Sequence, residues 1–324
     1  MIEVKFYNSE QANEWNDFLV YSKGQTFMFN RNYMDYHSDR FIDSSILVYE
    51  DDILVAIMPA NLNNDKISIT SHSGLTFGSF IVKEHIRSCK TIEYISHSIK
   101  FLFKNNIQKL YFKQIPSFYN NISTDEVDYA FFILDAEIDR VDIAYAIKYQ
   151  NIIPYQQRRV RSIKKAKNLN VQIINENKFD SFWNQILIPN LKQRFGVNPV
   201  HSLEEIRRLS ENNPYSIIQY NAYLGETIMA GTTLFVTPNV VHAQYISASE
   251  EGRKNGSLDQ LFDFLIKKYS NKMYFDFGIV NENFGKTINL GLLDWKEGFG
   301  ARAYAHRFYK IETSNYIKLE KLIY

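Results

Sequence analysis

Cysteine is almost absent from the chain, which has a single residue of this type, Cys89. One cysteine cannot form an internal disulfide, so a reducing compartment is expected and we predict a cytoplasmic protein. Long apolar runs are also missing: segments such as residues 131–134 are far too short to cross a bilayer. The first residues lack the basic region and apolar core of a signal peptide. Peripheral association with a membrane is still compatible with this pattern.

The chain has no excess of charge of one sign. It contains 37 Lys and Arg against 36 Asp and Glu, a formal net charge of +1, so binding to DNA is not expected. The histidines are scattered and only one cysteine is present, which gives no zinc spacing and predicts no metal. The glycine motifs of serine hydrolases, of P-loop proteins and of dinucleotide-binding proteins are absent as well.

What is present is an ordinary globular composition, with 45% hydrophobic and 23% charged residues in 324. This length favours two domains, and we place them at residues 1–145 and 146–324. Two hairpins are predicted, one at 45–49 and 53–58 and one at 215–224 and 227–237. Each half reads as helices, a hairpin, further strands and a helix. The order therefore predicts two diverged copies of one α/β architecture, of unknown oligomeric state.

Several other local predictions follow from spacing. The apolar run Ala130 to Leu134 reads as strand material, and Phe179 to Phe195 as a helix interrupted at Pro189. Ser202 is an N-cap with Glu205 three residues later, which is a capping-box pattern.

The stretch from Val240 to Tyr269 is the most informative part of the chain. It reads as a strand up to Ser247, a polar glycine-containing loop over 250–256, and an amphipathic helix with Ser257 as its N-cap. A helix N-terminus behind a glycine turn presents unpaired N–H groups and the positive end of the helix dipole. This arrangement favours a phosphate or another anion.

The order of these elements resembles the GNAT acyltransferase fold. In that fold the same loop carries Arg/Gln-x-x-Gly-x-Gly/Ala, which binds the pyrophosphate of coenzyme A. Arg253 to Gly256 match its first part, whereas Leu258 stands where Gly or Ala is usual. The surrounding motifs, in chain order, are NPVHS (198–202), HAQYISAS (242–249), FDFG (275–278), NENFG (281–285), NLGL (289–292) and WKEGFGA (295–301).

Together these motifs resemble the Fem-type (FemAB and FemX) double-GNAT family and its smaller relatives in bacterial surface-polysaccharide gene clusters. The resemblance implies an α/β (α+β) fold of two tandem GNAT-like domains, each a mixed, mostly antiparallel sheet flanked by helices. It also implies a degenerate, acceptor-side domain at 1–145 and a donor and catalytic domain at 146–324. The motifs cover roughly residues 150 to 311. For the first 150 residues the resemblance rests on the order of the predicted elements alone.

The implied function is N-acyl transfer from acyl-CoA, most simply acetyl-CoA, to an amine of an amino sugar or nucleotide sugar in cell-surface polysaccharide biosynthesis. One alternative is a Fem-like peptidyltransferase that uses aminoacyl-tRNA and acts on a cell-wall precursor. A second alternative, from another class, is a non-catalytic GNAT-like binding module.

Five residues are candidates for the chemistry. The resemblance implies that Lys296 stabilises developing negative charge and that Tyr309 is a general acid. From residue type, Asp276 is a base or an amine anchor, Glu282 is a weaker candidate for the same role, and His201 is a general base, since histidine titrates near pH 6.5. Each has a structural alternative, as a packed histidine, a surface lysine or a carboxylate satisfied by backbone N–H groups.

The remaining candidates bind substrates. The donor phosphates are assigned to the loop residues Gly252, Arg253, Lys254, Asn255, Gly256 and Ser257. Arg158 and Arg161 belong to a basic helix over 158–167 and are candidates for acceptor phosphates or a tRNA backbone. His242 and Tyr245, on the strand that enters the loop, complete the set. The alternative for the basic helix is a solvated face.

Overall fold

The structure is a computed structural model that describes residues 1–176 and 178–322, so the last residue of the second predicted domain, 324, lies outside the described part. The chain forms two compact units. Among the described residues, the N-terminal unit comprises 1–142 and 305–322, and the C-terminal unit comprises those between 143 and 304.

The strands, in chain order, are β1 Ile2–Phe6, β2 Ile42–Asp43, β3 Ile46–Glu50, β4 Ile53–Met58, β5 Asn61–Leu62, β6 Ser68–Thr70, β7 Ile81–Val82, β8 Lys109–Lys113, β9 Glu137–Lys148, β10 Gln172–Glu176, β11 Ile217–Leu224, β12 Thr227–Val236, β13 Val240–Ala248, β14 Tyr274–Ile279, β15 Asn281–Glu282, β16 Thr287–Ile288 and β17 Arg302–Glu312.

The α-helices are α1 Ala12–Val20, α2 Arg31–Met34, α3 Ser88–Lys104, α4 Glu126–Ile133, α5 Gln157–Asn168, α6 Asp180–Phe182, α7 Ile188–Phe195, α8 Leu203–Asn212, α9 Glu250–Asn255, α10 Ser257–Lys268, α11 Leu290–Glu297 and α12 Tyr316–Glu320. A π-helical turn, Trp183–Leu187, joins α6 to α7 just before Pro189. Short 3₁₀ turns occupy Ser9–Gln11, Phe27–Phe29, Asp35–His37, Ser117–Tyr119, Tyr149–Asn151 and Thr313–Asn315.

The N-terminal unit contains two sheets. One has the order β1-β3-β4-β7, all antiparallel, and includes the first predicted hairpin, whose turn residues Asp51 and Asp52 have φ of 50° and 64°. In the other sheet, β8 pairs in parallel with β6 and antiparallel with β17. The core between sheet and helices includes Leu102 of α3 and Phe112 of β8, both essentially inaccessible to solvent.

The prediction of a strand at Ala130 to Leu134 is wrong, because residues 130–133 are the second half of α4 and Leu134 is its C-cap. Val127, Ala130, Phe131 and Leu134 are all buried, at helical spacing of three and four residues. The helical spacing of apolar residues therefore begins at Val127, before the apolar run. A sequence window limited to residues 130–134 does not show this spacing.

The C-terminal unit is a mixed, mostly antiparallel sheet flanked by helices, in the order β10-β11-β12-β13-β14-β9. The hairpin β11–β12 and the capping box of Ser202 with Glu205 are confirmed. Against this sheet α10 buries Leu261, Phe262 and Leu265 completely. None of the described helices in either unit is long and apolar enough to cross a membrane.

The prediction of a polar glycine-containing loop over residues 250–256 is wrong, because residues 250–255 form the short helix α9, capped by Ser249. Its first turn is acidic and its last turn is basic, which suits the helix dipole. Gly256, at φ +88°, then turns the chain directly into α10, so Gly256 occupies the N-cap position predicted for Ser257.

Candidate functional site

The candidate site lies where two parallel strands of the C-terminal unit part. β13 and β14 pair at only three positions, the last of which joins His242 to Asp276. β13 continues to Ala248 without β14 beside it, while β14 bends through Gly278, at φ +74°, where its pairing with β9 also shifts register. Backbone groups on this edge of β13 beyond His242 are therefore not used by the neighbouring strand.

A buried histidine–carboxylate pair occupies the point where the strands part. Nδ1 of His242 lies 2.7 Å from Oδ2 of Asp276, and Oδ1 of Asp276 accepts the N–H of Gly278 at 2.8 Å. The side chains of His242 and Asp276 are 10% and 3% exposed. Because a carboxylate accepts hydrogen bonds, we assign the ring hydrogen to Nδ1, which leaves a lone pair on Nε2 of neutral His242.

Lys296 completes this cluster from α11. Its Nζ donates to the carbonyl oxygens of Gly278 and Ile279, at 2.8 and 2.7 Å, at the bend of β14. The side chain is buried, and this burial lowers the pKa of Lys296 to about 7, although the charge of Asp276 acts in the opposite direction. An ammonium group has three hydrogens, and these carbonyls use two of them.

A cavity of about 590 Å³ opens beside the free edge of β13. Its walls come from the end of β13, from α5, α7, α9, α10 and α11, and from Glu282. The lining residues are Arg159, Arg194, Phe195, Ile246, Ser247, Ala248, Arg253, Leu258, Asp259, Glu282, Asn289, Gly291, Leu292, Asp294 and Trp295. A cleft of this size with a few convergent polar groups is typical of a small-molecule site.

The three arginines of the cavity differ in how their charge is balanced. Arg159 donates twice to Asp259, at 2.8 and 2.7 Å, and the same carboxylate accepts the Nε1–H of Trp295. Arg253 donates instead to the carbonyl of Ala248. Within the described ranges neither Arg253 nor Arg194 forms an ion pair with a carboxylate. Both therefore contribute net positive charge to the end of β13.

The structure thus brings together three predicted residues, Lys296, Asp276 and His242, and places Arg253 and Glu282 on the cavity at the end of β13. Asn289 donates to the carboxylate of Glu282 at 2.9 Å, which fixes the glutamate at the cavity wall.

His201 and Tyr245 form a separate pair in the same unit. Nδ1 of His201 lies 2.6 Å from the hydroxyl oxygen of Tyr245, and Trp183 packs edge-on against the tyrosine ring. Burial raises the pKa of Tyr245. Both side chains belong to the packed interior.

The predicted phosphate-binding residues have internal partners. The N–H of Gly252 is accepted by Ser249 Oγ, and the N–H of Ser257 by the side chain of Asn255. Gly256 lies against α5, where an added Cβ would stand 2.2 Å from the carbonyl oxygen of Ser162. Lys254 is exposed and pairs with Glu250.

The remaining predicted residues are Arg158, Arg161 and Tyr309. Arg158 donates to Asp294, and Arg161 is exposed on α5. Tyr309 belongs to the N-terminal unit, where its hydroxyl donates to Asp128 at 2.7 Å and its ring packs on Phe131. Burial raises the pKa of Tyr309.

The cavity residues that sequence reasoning missed include Arg159, Arg194, Asp259 and Trp295. Asp259 carried a signal, since an acidic residue in the first turn of a helix next to a basic helix suggests an ion pair across the two. Arg194 carried none, because it is one of many exposed cations at helix ends.

No family model matches the sequence, and no curated protein matches it either. Solved structures match over almost the whole chain. FemX aligns with a TM-score of 0.66 at 10% identity, covering 99% of both chains. The C-terminal domain (DUF2156) of a putative lysylphosphatidylglycerol synthetase from Agrobacterium fabrum aligns with a TM-score of 0.60 at 12% identity, covering 98% of this chain and 96% of that one.

A tandem GNAT protein from the clavulanic acid biosynthesis pathway aligns with a TM-score of 0.52 at 9% identity, over 97% of this chain and 99% of that one. The chain has the fold of the Fem-type tandem GNAT proteins. The predicted resemblance and the predicted fold class are therefore confirmed. At these identities the likeness shows the fold alone, and the reaction depends on the site that this chain places on it.

Proposed function

We propose that the protein transfers an acyl group from acyl-CoA, with acetyl-CoA as the expected donor, to an amine of a sugar or nucleotide sugar in cell-surface polysaccharide assembly. The supporting observation is that two features lie along the same unpaired part of β13. The buried cluster of His242, Asp276 and Lys296 lies where β14 parts from it, and a cavity with unneutralised arginines lies at its end, at residues 246–248. In this proposal residues 146–324 bind the donor and carry the chemistry, and residues 1–145 serve the acceptor.

The free edge of β13 suits the donor. The pantetheine arm of coenzyme A is extended and carries two amides, which pair with unused N–H and C=O groups of a strand edge. Residues 242 to 248 span roughly 20 Å at about 3.3 Å per residue, which suits an arm with its thioester near His242 and its phosphates near Ala248. Arg253 and Arg194 then bind the phosphates through charge-assisted hydrogen bonds. Side chains thus take over the role that the sequence assigns to the loop N–H groups.

The cluster supplies the chemistry of acyl transfer. Nε2 of His242, oriented by Asp276, accepts the proton that the acceptor amine loses as its nitrogen attacks the thioester carbonyl. The ammonium of Lys296 stabilises the oxyanion of the tetrahedral intermediate. Collapse of this intermediate forms the amide and breaks the C–S bond, and the CoA thiolate takes up the proton from His242. Asp276 is therefore a positioning residue in this scheme, and His242 is the base.

The aminoacyl-tRNA alternative depends on the basic helix α5. Much of its charge is already balanced within the C-terminal unit: Arg158 pairs with Asp294, Arg159 with Asp259 and Lys167 with Asp263. Lys165 donates to the carbonyl of Lys254. These contacts leave less positive charge for a nucleic-acid backbone than the sequence suggests.

Calorimetric titration of the intact protein with acetyl-CoA, and separately with a charged tRNA, tests the proposal. We expect acetyl-CoA to bind and the tRNA not to bind. Binding of charged tRNA without binding of acetyl-CoA overturns the proposal in favour of aminoacyl transfer. If acetyl-CoA is turned over but Lys296→Ala leaves turnover unchanged, the chemistry assigned to the cluster is wrong. If acetyl-CoA binds and no acyl transfer is detected, a non-catalytic binding module becomes the better description.

A further inference from the structure

Six large apolar side chains are exposed in two short segments of the C-terminal unit, each of which reaches the cavity. One segment, residues 192–200, ends α7 and continues past it, and the other, residues 284–291, runs from the β15–β16 turn into α11. Their exposed fractions are Phe195 57%, Val197 51%, Val200 74%, Phe284 82%, Ile288 45% and Leu290 71%. Both segments also line the cavity, the first through Phe195 and the second through Asn289 and Gly291. We call these six side chains the apolar rim.

The turn at the tip of the second segment holds an aromatic ring outward. Asn283, Phe284 and Gly285 have φ of 50°, 54° and 84°, so a phenylalanine sits in the left-handed region that bulky residues rarely adopt. Asn283 donates to Thr287 Oγ1 and Asn281 donates to the carbonyl of Gly285, which fixes the turn. A backbone outlier that exposes an apolar side chain is typical of a functional surface.

The charge of the two segments has one sign. Residues 192–200 contain Lys192 and Arg194, residues 284–291 contain Lys286, and neither segment contains Asp or Glu. Exposed apolar side chains interspersed with Lys and Arg form the pattern that binds the interface of an anionic bilayer, where rings and aliphatic groups enter the headgroup region and cations meet the phosphates.

We infer that the apolar rim docks the C-terminal unit on an anionic lipid surface, with the cavity opening toward the headgroups. A second copy of the chain fits this rim less well, since a symmetric contact would bring the cations of both copies together. The inference rests on the proposed function in one respect, that the cavity is the site of transfer. The acceptor amine is then one presented at the membrane, as on a lipid-linked sugar, rather than one free in solution.

Flotation with lipid vesicles, in the absence of any donor, tests this surface. We expect the protein to float with phosphatidylcholine vesicles that contain phosphatidylglycerol and to bind pure phosphatidylcholine weakly. The variant Phe284→Ser with Leu290→Ser should lower partitioning roughly tenfold or more, and Lys286→Gln about fivefold. Tyr215→Ser is the control, because Tyr215 is 88% exposed but belongs to neither segment.

Absence of flotation, or equal flotation of the double variant and the wild type, overturns the inference. The inference is also overturned if the wild type self-associates and the double variant does not, because the apolar rim then contacts a second copy of the chain. Calorimetry with acetyl-CoA on the same proteins separates the two proposals. Donor binding without vesicle binding would contradict only the proposed docking surface. Vesicle binding without donor binding would contradict only the proposed acyl-CoA reaction.

Discussion

His242 and Asp276 face each other at the last paired position of β13 and β14, with Nδ1 of the histidine 2.7 Å from Oδ2 of the aspartate. Beyond this pair the strands part, and the bend of β14 leaves the carbonyls of Gly278 and Ile279 to be taken by Lys296. The backbone irregularity and the buried titratable groups therefore have the same origin. A continuous ladder at this position would close the cavity edge and leave Lys296 without its partners.

We expect Asp276→Asn to lower kcat by roughly 10²- to 10⁴-fold, the range that a general base contributes. An asparagine NH₂ can donate to Nδ1, which favours the tautomer with its hydrogen on Nε2 and removes the base. The measurement is steady-state acyl transfer with acetyl-CoA and an amino-sugar acceptor. Asp263→Asn is the matched control, because Asp263 is equally buried in the same unit but pairs with Lys167 and Lys267. Equal losses in both variants would point to a structural role for Asp276.

Activity should fall as pH rises through about 7. The pKa of Lys296 is about 7 because the side chain is buried, and only the protonated form stabilises an oxyanion. A profile of kcat/KM against pH in the wild type should show this descending limb. In Lys296→Met the limb should be absent, with a rate roughly 10²- to 10³-fold lower at the optimum. A wild-type alkaline limb that persists in Lys296→Met would assign the titration to another group.

The same lysine should make stability depend on pH in the opposite direction. Its pKa is lowered in the folded state from the ordinary value of 10.5 to about 7, so between these values the unfolded chain binds more protons. The free energy of unfolding contributed by Lys296 therefore rises with pH through this window and is flat below it. Urea unfolding across the window measures it, as the difference between wild type and Lys296→Met. Parallel curves for the two proteins would contradict a depressed pKa.

Arg253 and Lys254 are neighbours in the chain, but only Arg253 lines the cavity. Lys254 is exposed and pairs with Glu250 on the outer face of α9. We therefore expect Arg253→Gln to weaken acetyl-CoA binding about tenfold, the loss of a charge-assisted phosphate contact, and Lys254→Gln to weaken it less than about twofold. Calorimetry measures both. Similar losses of affinity in the two variants would indicate that the donor phosphates bind at the α9–α10 turn, as the sequence motif predicts.

Much of the fold follows from local pattern. The two hairpins are set by alternation around turn residues, and the capping box of α8 needs only Ser202 and Glu205. The two wrong predictions, a strand at α4 and a loop at α9, share a cause. Both helices are short, and a narrow sequence window does not include enough residues to show their helical period. For α9 the signals were present, in an N-cap at Ser249, an acidic first turn and a basic last turn.

The site was less predictable than the fold. Lys296, Asp276 and His242 were named from motifs, but their grouping depends on where β13 and β14 stop pairing, which alternation within each strand does not encode. Arg159 and Arg194 reach the cavity from helices that precede the motif strand by about 50 to 80 residues. The packing of α5 on α9 and α10, and the hydrogen bonds of Asn190 in α7 to the end of β13, bring these cations to it.

The turn between α9 and α10 should tolerate no side chain at Gly256. This glycine has φ +88°, and an added Cβ would stand 2.2 Å from the backbone carbonyl oxygen of Ser162, so both conformation and space oppose alanine. Gly225 is the matched control, since it has φ +59° but nothing within 4 Å of an added Cβ. We expect Gly225→Ala to lower the free energy of unfolding by about 1 kcal/mol and Gly256→Ala by about 3 kcal/mol or more. Urea unfolding of both variants measures the difference, and equal costs would mean that α5 does not pack closely on this turn.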